Sequence, residues 1–228
     1  MPSSVRIVEV GPRDGLQNEA KIVPTEKKAE FVRLLAAAGL RDIEVASFVH
    51  PKWVPQLADA PELVQRLEPN PKIRYSALVP NMKGLERAIE TGIRRIAVFT
   101  AASETFNRKN INMGIQESID VFKPVVERAL KEGISVRGYV STCFVCPYEG
   151  AIGKEKVADV VSARLGASPA ALADSLQLAE RMHDATVKRG RELRSALPVP
   201  VVPVPLQTAR AGLATARAVA DVLAEATA

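Results

Sequence analysis

The sequence predicts an α/β protein of the TIM type, a (β/α) barrel that is incomplete, with about five β/α units and a helical or poorly ordered C-terminal tail. Three observations predict it. AAAGLRDIEV, IETGIRRIAV and KEGISVRGYV each run from a helix-like segment, through a glycine, into an apolar strand. Such a glycine suits the left-handed residue that closes a helix, and serial β/α units of this kind build a parallel sheet with right-handed crossovers. Polar residues also gather just past the ends of the apolar runs, where parallel α/β proteins do their chemistry. Five units with no sign of a central sheet edge favour a barrel over a doubly wound sheet. Finally, the pattern stops near residue 165, and the composition changes with it.

The elements follow in order. Val5–Val10 reads as strand one. Pro24-Thr25 opens a helix with Phe31, Leu34, Leu35 and Ala38 on its apolar face, ended by Gly39. Asp42–Ala46 is strand two. Ile73–Val79 is strand three, closed by Pro80. Asn81 caps a helix that runs to Thr91 and ends at Gly92. Arg95–Phe99 is strand four. Ile115–Glu132 is a long helix, with Pro124 bending it or marking its true first turn, and Gly133 ends it. Ser135–Ser141 is strand five, Lys154–Leu165 a further helix, and no convincing strand follows Ser141.

Residues 1–165 are thus expected to form the partial barrel, and residues 166–228 a divergent tail rich in Ala, Pro and Arg. The tail holds two candidate helices, one after Ser168-Pro169 and one over 206–226. They are joined by a linker whose alternating prolines exclude a central strand. Loss of Ile, Asn and aromatic residues beside a rise in Ala, Arg, Pro and Val is what GC-rich codons give out of frame. A reading-frame change near residue 163 is one expectation, and a tail packing as two helices over an open barrel is the other.

Composition narrows the function classes. With 228 residues and 47% hydrophobic residues the chain can bury a sizeable core. No apolar run approaches the roughly 18–20 residues of a membrane span. Met1-Pro2-Ser3-Ser4 leads straight into strand one, which leaves no room for a leader and makes the cytoplasm the expected location. Cys143 and Cys146 make no disulfide framework. The +5 charge is spread among carboxylates, and only 4% of residues are aromatic. That is not the basic stripe of a nucleic-acid reader, though it suits an anionic metabolite.

The most informative segment is Val8-Glu9-Val10-Gly11-Pro12-Arg13-Asp14-Gly15-Leu16-Gln17-Asn18-Glu19. It places a cation, a carboxylate and several amides just past strand one. Arg13 suits a bidentate grip on a carboxylate or thioester oxygen, and Asp14 suits a hard divalent metal. A polar strand-to-helix loop with a solvated ion pair would look the same by spacing alone. Glu44 opens the segment Glu44-Val45-Ala46-Ser47-Phe48 with which strand two ends. His50 reads as a solvated neighbour of Pro51, and His183 as a helix residue. The two cysteines lack the second pair that a zinc site needs.

Together VEVGPRDGLQNE, IEVASFVHPKWVPQ, AASETFNRKNIN and RGYVSTCFVCPYEG resemble the hydroxymethylglutaryl-CoA lyases, a metal-dependent TIM-barrel lyase family, over about residues 5–162. The resemblance implies a barrel that cleaves hydroxymethylglutaryl-CoA to acetyl-CoA and acetoacetate in leucine breakdown, with Mg²⁺ or Mn²⁺ as cofactor. It implies Asp14 as a metal ligand, Arg13 and Glu44 as catalytic residues, and Arg13 and Gln17 as substrate-binding residues. A related acyl-CoA lyase or aldolase, or a non-catalytic fragment that binds CoA esters, are the alternatives. The implied partner is a small CoA thioester; composition points to neither nucleic acid nor membrane, and the free edges left on strands one and five invite a homodimer. The family's His-x-His metal ligands, the Asn beyond them and its Gly-Gly-Cys-Pro loop are not found in this sequence, so the implied ligand set is incomplete and weak or absent activity is expected.

Overall fold

The computed structural model describes residues 7–165. The chain divides into two compact units, Pro2–Ile152 and Gly153–Ala228 with Met1. In the second unit the described element is α6, Lys154–Leu165. The tail expected over residues 166–228, His183 included, lies outside the described residues.

Five parallel strands form the first unit's main sheet: β1 Val8–Glu9, β2 Asp42–Ser47, β3 Arg74–Leu78, β4 Arg95–Ala101 and β5 Ser135–Ser141. Their spatial order is β1-β2-β3-β4-β5, every pair parallel. A doubly wound sheet reverses its order at a switch point. Strictly consecutive order is that of a barrel wall, and here it is the wall of an incomplete barrel, as the sequence predicts. Among the described residues β1 pairs through Val8 and Glu9, and Ile7 and Val10 of the expected strand fall outside it.

Between the strands run α1 Thr25–Ala37, α2 Ala60–Arg66, α3 Met82–Glu90, α4 Glu104–Ile111 and α5 Ile115–Lys131. The core lies between these helices and the strands. It joins Val32 of α1, Leu63 of α2, Leu85 of α3 and Val125 of α5 to Ile43, Val45, Ala77, Ile96 and Val98. The repeated joint behaves as expected: Gly39, Gly92 and Gly133 have φ of +99°, +77° and +69°. Asn81 caps α3, its Oδ1 accepting from Gly84 N at 3.0 Å. Gly84 meets a different demand, since a Cβ there would lie 2.9 Å from Phe48 O and from Pro80 Cδ. It lets α3 press against the end of β2.

Four expectations need correction. Helices α2 and α4 occupy segments for which no helix was expected; both make only about two turns, so their periodicity is faint. Pro124 sits inside a continuous α5 that starts at Ile115 as expected, so it does not mark the first turn; Gly114 is the N-cap, its N–H donating to Glu117 Oε2 at 3.2 Å. A two-stranded antiparallel hairpin, β6 Val145–Cys146 with β7 Gly150–Ala151, follows Ser141, where no strand was expected. Two-residue strands carry no readable alternation.

The fourth concerns α1. Leu34 is 62% exposed, whereas Lys28 is buried. Its ammonium bonds Asp59 Oδ1 at 2.6 Å and Gln56 O, which satisfies the charge that burial would otherwise penalise. Thr25 Oγ1 donates to the other Asp59 oxygen at 2.8 Å.

Candidate active site

The site grows from the end of β1. Pro12 stops the strand, and Gly11–Gly15 winds into a single π-helical turn in which the N–H groups of Arg13 and Asp14 both donate to Val10 O, at 3.0 and 2.7 Å. A 3₁₀ turn, Leu16–Asn18, follows, and Asn18 Nδ2 donates to Asp14 O at 2.7 Å. Arg13 and Asp14 therefore ride on a tied-down turn.

Glu44 lies mid-strand in β2, at the point where the register with β3 shifts between Glu44 and Ala46. Such bulges re-aim side chains beside active sites. Its carboxylate is fully buried and doubly held: Arg13 Nε donates to Oε1 at 2.6 Å, and the Tyr139 hydroxyl donates to Oε2 at 2.8 Å. Arg13 Nη1 also meets Asp14 Oδ1 at 2.6 Å. Nη2 of Arg13 has no acceptor among the described residues. The guanidinium is thus oriented by two carboxylates with one of its faces of donors still available.

Tyr139 belongs to β5, three strands from β2. On a flat sheet those positions would stand about 14 Å apart with side chains projecting in parallel. Their hydrogen bond requires the sheet to curl so that both strands face one interior. Burial first, and then the Glu44 carboxylate, raise the Tyr139 phenol above its ordinary pKa, while Arg137 offsets part of that. Arg137 Nη1 lies 3.4 Å from the hydroxyl. Tyr139 is the residue that sequence reasoning missed. It was visible only as a polar residue near the end of strand five.

Of the sequence-predicted residues, Arg13, Asp14 and Glu44 come together. Gln17 sits half-buried in the 3₁₀ turn, and no hydrogen bond among the described residues joins its amide to Arg13 or Glu44. His50 is exposed and accepts from Lys52 N through Nδ1 at 3.2 Å, as a solvated loop residue.

Cys146 is buried in the hairpin, its Sγ 3.0 Å from Ser103 Oγ. Burial raises its thiol pKa, but hydrogen bonds from Ser103 and from the N–H groups of Tyr148 and Glu149 outweigh that and lower it. Burial raises the Cys143 thiol. Both cysteines are free.

A divalent metal would find in Asp14 one hard carboxylate, already shared with Arg13. Among the described residues no three His, Cys, Asp or Glu side chains converge to hold a metal ion. The described residues therefore do not form a metal site by themselves. No described helix is long and apolar enough to cross a membrane.

Comparison with known proteins agrees with this geometry. The HMGL-like family model matches residues 4–202, running past the point where the composition changes. The chain is 51% identical over 160 residues to the mitochondrial hydroxymethylglutaryl-CoA lyase of Rattus norvegicus, covering 70% of this chain and 49% of that protein. It is 52% identical over 160 residues to the cytoplasmic 3-hydroxy-3-methylglutaryl-CoA lyase of the same organism, covering 70% and 47%. The crystal structure of hydroxymethylglutaryl-CoA lyase from Pseudomonas aeruginosa superposes with a TM-score of 0.68 at 48% identity, over 71% of this chain and 54% of that one. An HMG-CoA lyase from Acenitobacter baumannii, in complex with coenzyme A and 3-methylmalate, gives 0.65 at 38%, over 69% and 51%. The chain spans about half the length of the relatives it matches. The family model, the identity to these relatives and the consecutive parallel sheet all point the same way: the chain belongs to the HMGL-like family.

Proposed function

We propose that this chain carries the substrate corner of a carbon–carbon lyase that cleaves hydroxymethylglutaryl-CoA to acetyl-CoA and acetoacetate, in leucine breakdown. The observation that carries the reading is the Arg13 guanidinium, oriented by buried Glu44 and by Asp14 with Nη2 left open. In retro-aldol cleavage the tertiary hydroxyl gives its proton to a base and becomes the acetoacetate ketone, while the electrons of the breaking carbon–carbon bond pass into the thioester as an enolate, which takes up a proton on carbon to give acetyl-CoA. A fixed cation aimed at that oxygen lowers the barrier, because it needs no reorganisation as charge develops. Glu44, itself held by Tyr139, keeps Arg13 in place, and Gln17, in the 3₁₀ turn that follows, is the second substrate-binding residue of this reading.

The family is generally metal-dependent. Mg²⁺ or Mn²⁺ is the cation we propose, with Asp14 as one ligand. Because the described residues stop short of a metal site, slow turnover is expected. The partner is a small CoA thioester, the location the cytoplasm. A homodimer belongs to the same reading, since among the described residues β1 and β5 have no strand on their outer edges, and open edges invite pairing. A non-catalytic CoA-ester-binding role is the second reading, favoured by the lack of converging metal ligands among the described residues.

The test is acetoacetate release from hydroxymethylglutaryl-CoA with Mn²⁺, beside calorimetry with acetyl-CoA. The expected result is binding with slow cleavage, and loss of cleavage in Arg13→Met with binding retained. Binding without cleavage selects the second reading. Failure to bind CoA esters, or cleavage indifferent to Arg13→Met, overturns the proposal.

A further inference from the structure

Arg137 lies on β5 two residues before Tyr139, so both side chains leave the same face of the strand. That face is the barrel interior, since the Tyr139 hydroxyl reaches Glu44 across it. The parallel strands point their C-terminal ends at the site, which puts Arg137 about 7 Å deeper than Tyr139, on the side away from an arriving substrate. Its neighbour in register on β4 is Ala97, buried and small, which leaves room for a long side chain. A charge drawn out of water is ordinarily paired. Arg137 is half-buried, yet among the described residues no carboxylate pairs with it. What it meets is Tyr139: Nη1 donates to the hydroxyl oxygen at 3.4 Å, and the guanidinium carbon lies 5.9 Å from the centre of the ring.

The contact fixes an order of donors. A phenol oxygen carries one proton and two lone pairs, a guanidinium only donates, and an ionised carboxylate only accepts. With Arg137 donating to a lone pair, the phenol's own proton is left to point at Glu44 Oε2, 2.8 Å away. Glu44 then presents its other oxygen to Arg13 Nε at 2.6 Å. Charge runs the same way. Arg13 faces two carboxylates, Glu44 and Asp14, which leaves that corner with one negative charge in excess, and Arg137 brings it to zero.

We propose that Arg137 is a positioning residue for the cleavage, acting through the Tyr139 hydroxyl to fix Glu44, and through Glu44 to fix Arg13, without touching substrate. Its effect on cleavage rests on the lyase reading above. Its effect on Tyr139 does not.

Two readouts test it on the full chain. In the first, tyrosinate absorbance is followed with pH, circular dichroism confirming the fold at each point, and Tyr139→Phe supplies the background from Tyr75 and Tyr148. Burial raises the Tyr139 phenol most and Glu44 raises it further, while the Arg137 N–H lowers it. Arg137→Met should therefore move the Tyr139 step to higher pH, and Arg137→Lys should restore much of it. If Arg137→Met fails to fold, Arg137→Gln, which removes the charge but keeps polarity, should shift the step the same way. The second readout is cleavage of hydroxymethylglutaryl-CoA. Arg137→Met should lower kcat about tenfold, as for other residues that orient a site group, with KM little changed. Added to Tyr139→Phe it should cost nothing more, because residues acting as one unit are not additive. An unmoved Tyr139 step in the folded variant would overturn the proposal. So would additive losses, or a raised KM at unchanged kcat, either of which gives Arg137 a role of its own. If the unsubstituted chain does not cleave, the lyase reading fails and the Tyr139 step alone decides whether Arg137 positions the hydroxyl.

Discussion

Glu44, with no solvent exposure of its own, accepts the Arg13 Nε proton at 2.6 Å across 31 residues of sequence. The pair is a buried carboxylate holding a partly buried guanidinium, and removing one member strands the other. Glu44→Ala should therefore cost about 3–5 kcal/mol of stability, read by urea unfolding. Glu44→Gln keeps a partner for Tyr139 but loosens Arg13. Cleavage should fall about 10–100-fold, as when a residue that orients a site group is lost, with CoA affinity little changed. Unchanged turnover in Glu44→Gln would remove Glu44 from the site.

Tyr139 makes stability pH-dependent at the alkaline end. Its folded pKa lies above the ordinary value, through burial first and the Glu44 charge next. The folded state thus holds the proton more tightly than the unfolded state. The resulting stability is fully present below the unfolded tyrosine pKa of about 10 and is lost as pH rises through the higher folded value. Tyr139→Phe should show a shallower fall of stability above about pH 10, and a lower stability at neutral pH from the lost bond to a charged acceptor, about 1.5–3 kcal/mol. Tyr75, whose pKa burial also raises, keeps the variant's slope from vanishing.

Lys28 tests the buried anchor of α1. Lys28→Met preserves much of the volume but leaves Asp59 and Gln56 O without the ammonium. Asp59 is 20% exposed and retains Thr25, so the cost should sit near the low end for a broken buried pair, about 3 kcal/mol. Denaturant midpoints would measure it. A neutral or stabilising effect would show that packing, not charge, holds this corner.

Gly84→Ala sets helix propensity against packing. Alanine gains up to about 1 kcal/mol in a helix. The new Cβ, however, meets Phe48 O and Pro80 Cδ at 2.9 Å, and overpacking costs about 1–3 kcal/mol. Backbone and a proline ring yield little, so the net should be destabilising. Thermal unfolding would show it as a lowered midpoint.

Much of the wall was legible locally. Strands two to five, the three glycine joints and the Asn81 cap each depend on residues within a turn or two of one another, and short-range patterns record such constraints well. Arg13 and Asp14 were legible as a candidate site for the same reason, sitting just past an apolar run at a Gly-Pro break. Helices α2 and α4 were not, because seven or eight residues make only about two turns, too few for a periodicity to stand out.

What lay beyond the sequence were the pairings made across the barrel's interior. Glu44 was legible as a strand-end carboxylate and, through its motif, as a site residue. That it faces Arg13 rather than solvent, and that Tyr139 completes its shell from three strands away, follows from the curl of the sheet. Curl accumulates from the twist of every strand pair between β2 and β5, and no local spacing encodes that sum. Lys28 shows the same division: its helix was predictable, yet its burial was decided by Asp59 and Gln56, which only the folded chain brings to it.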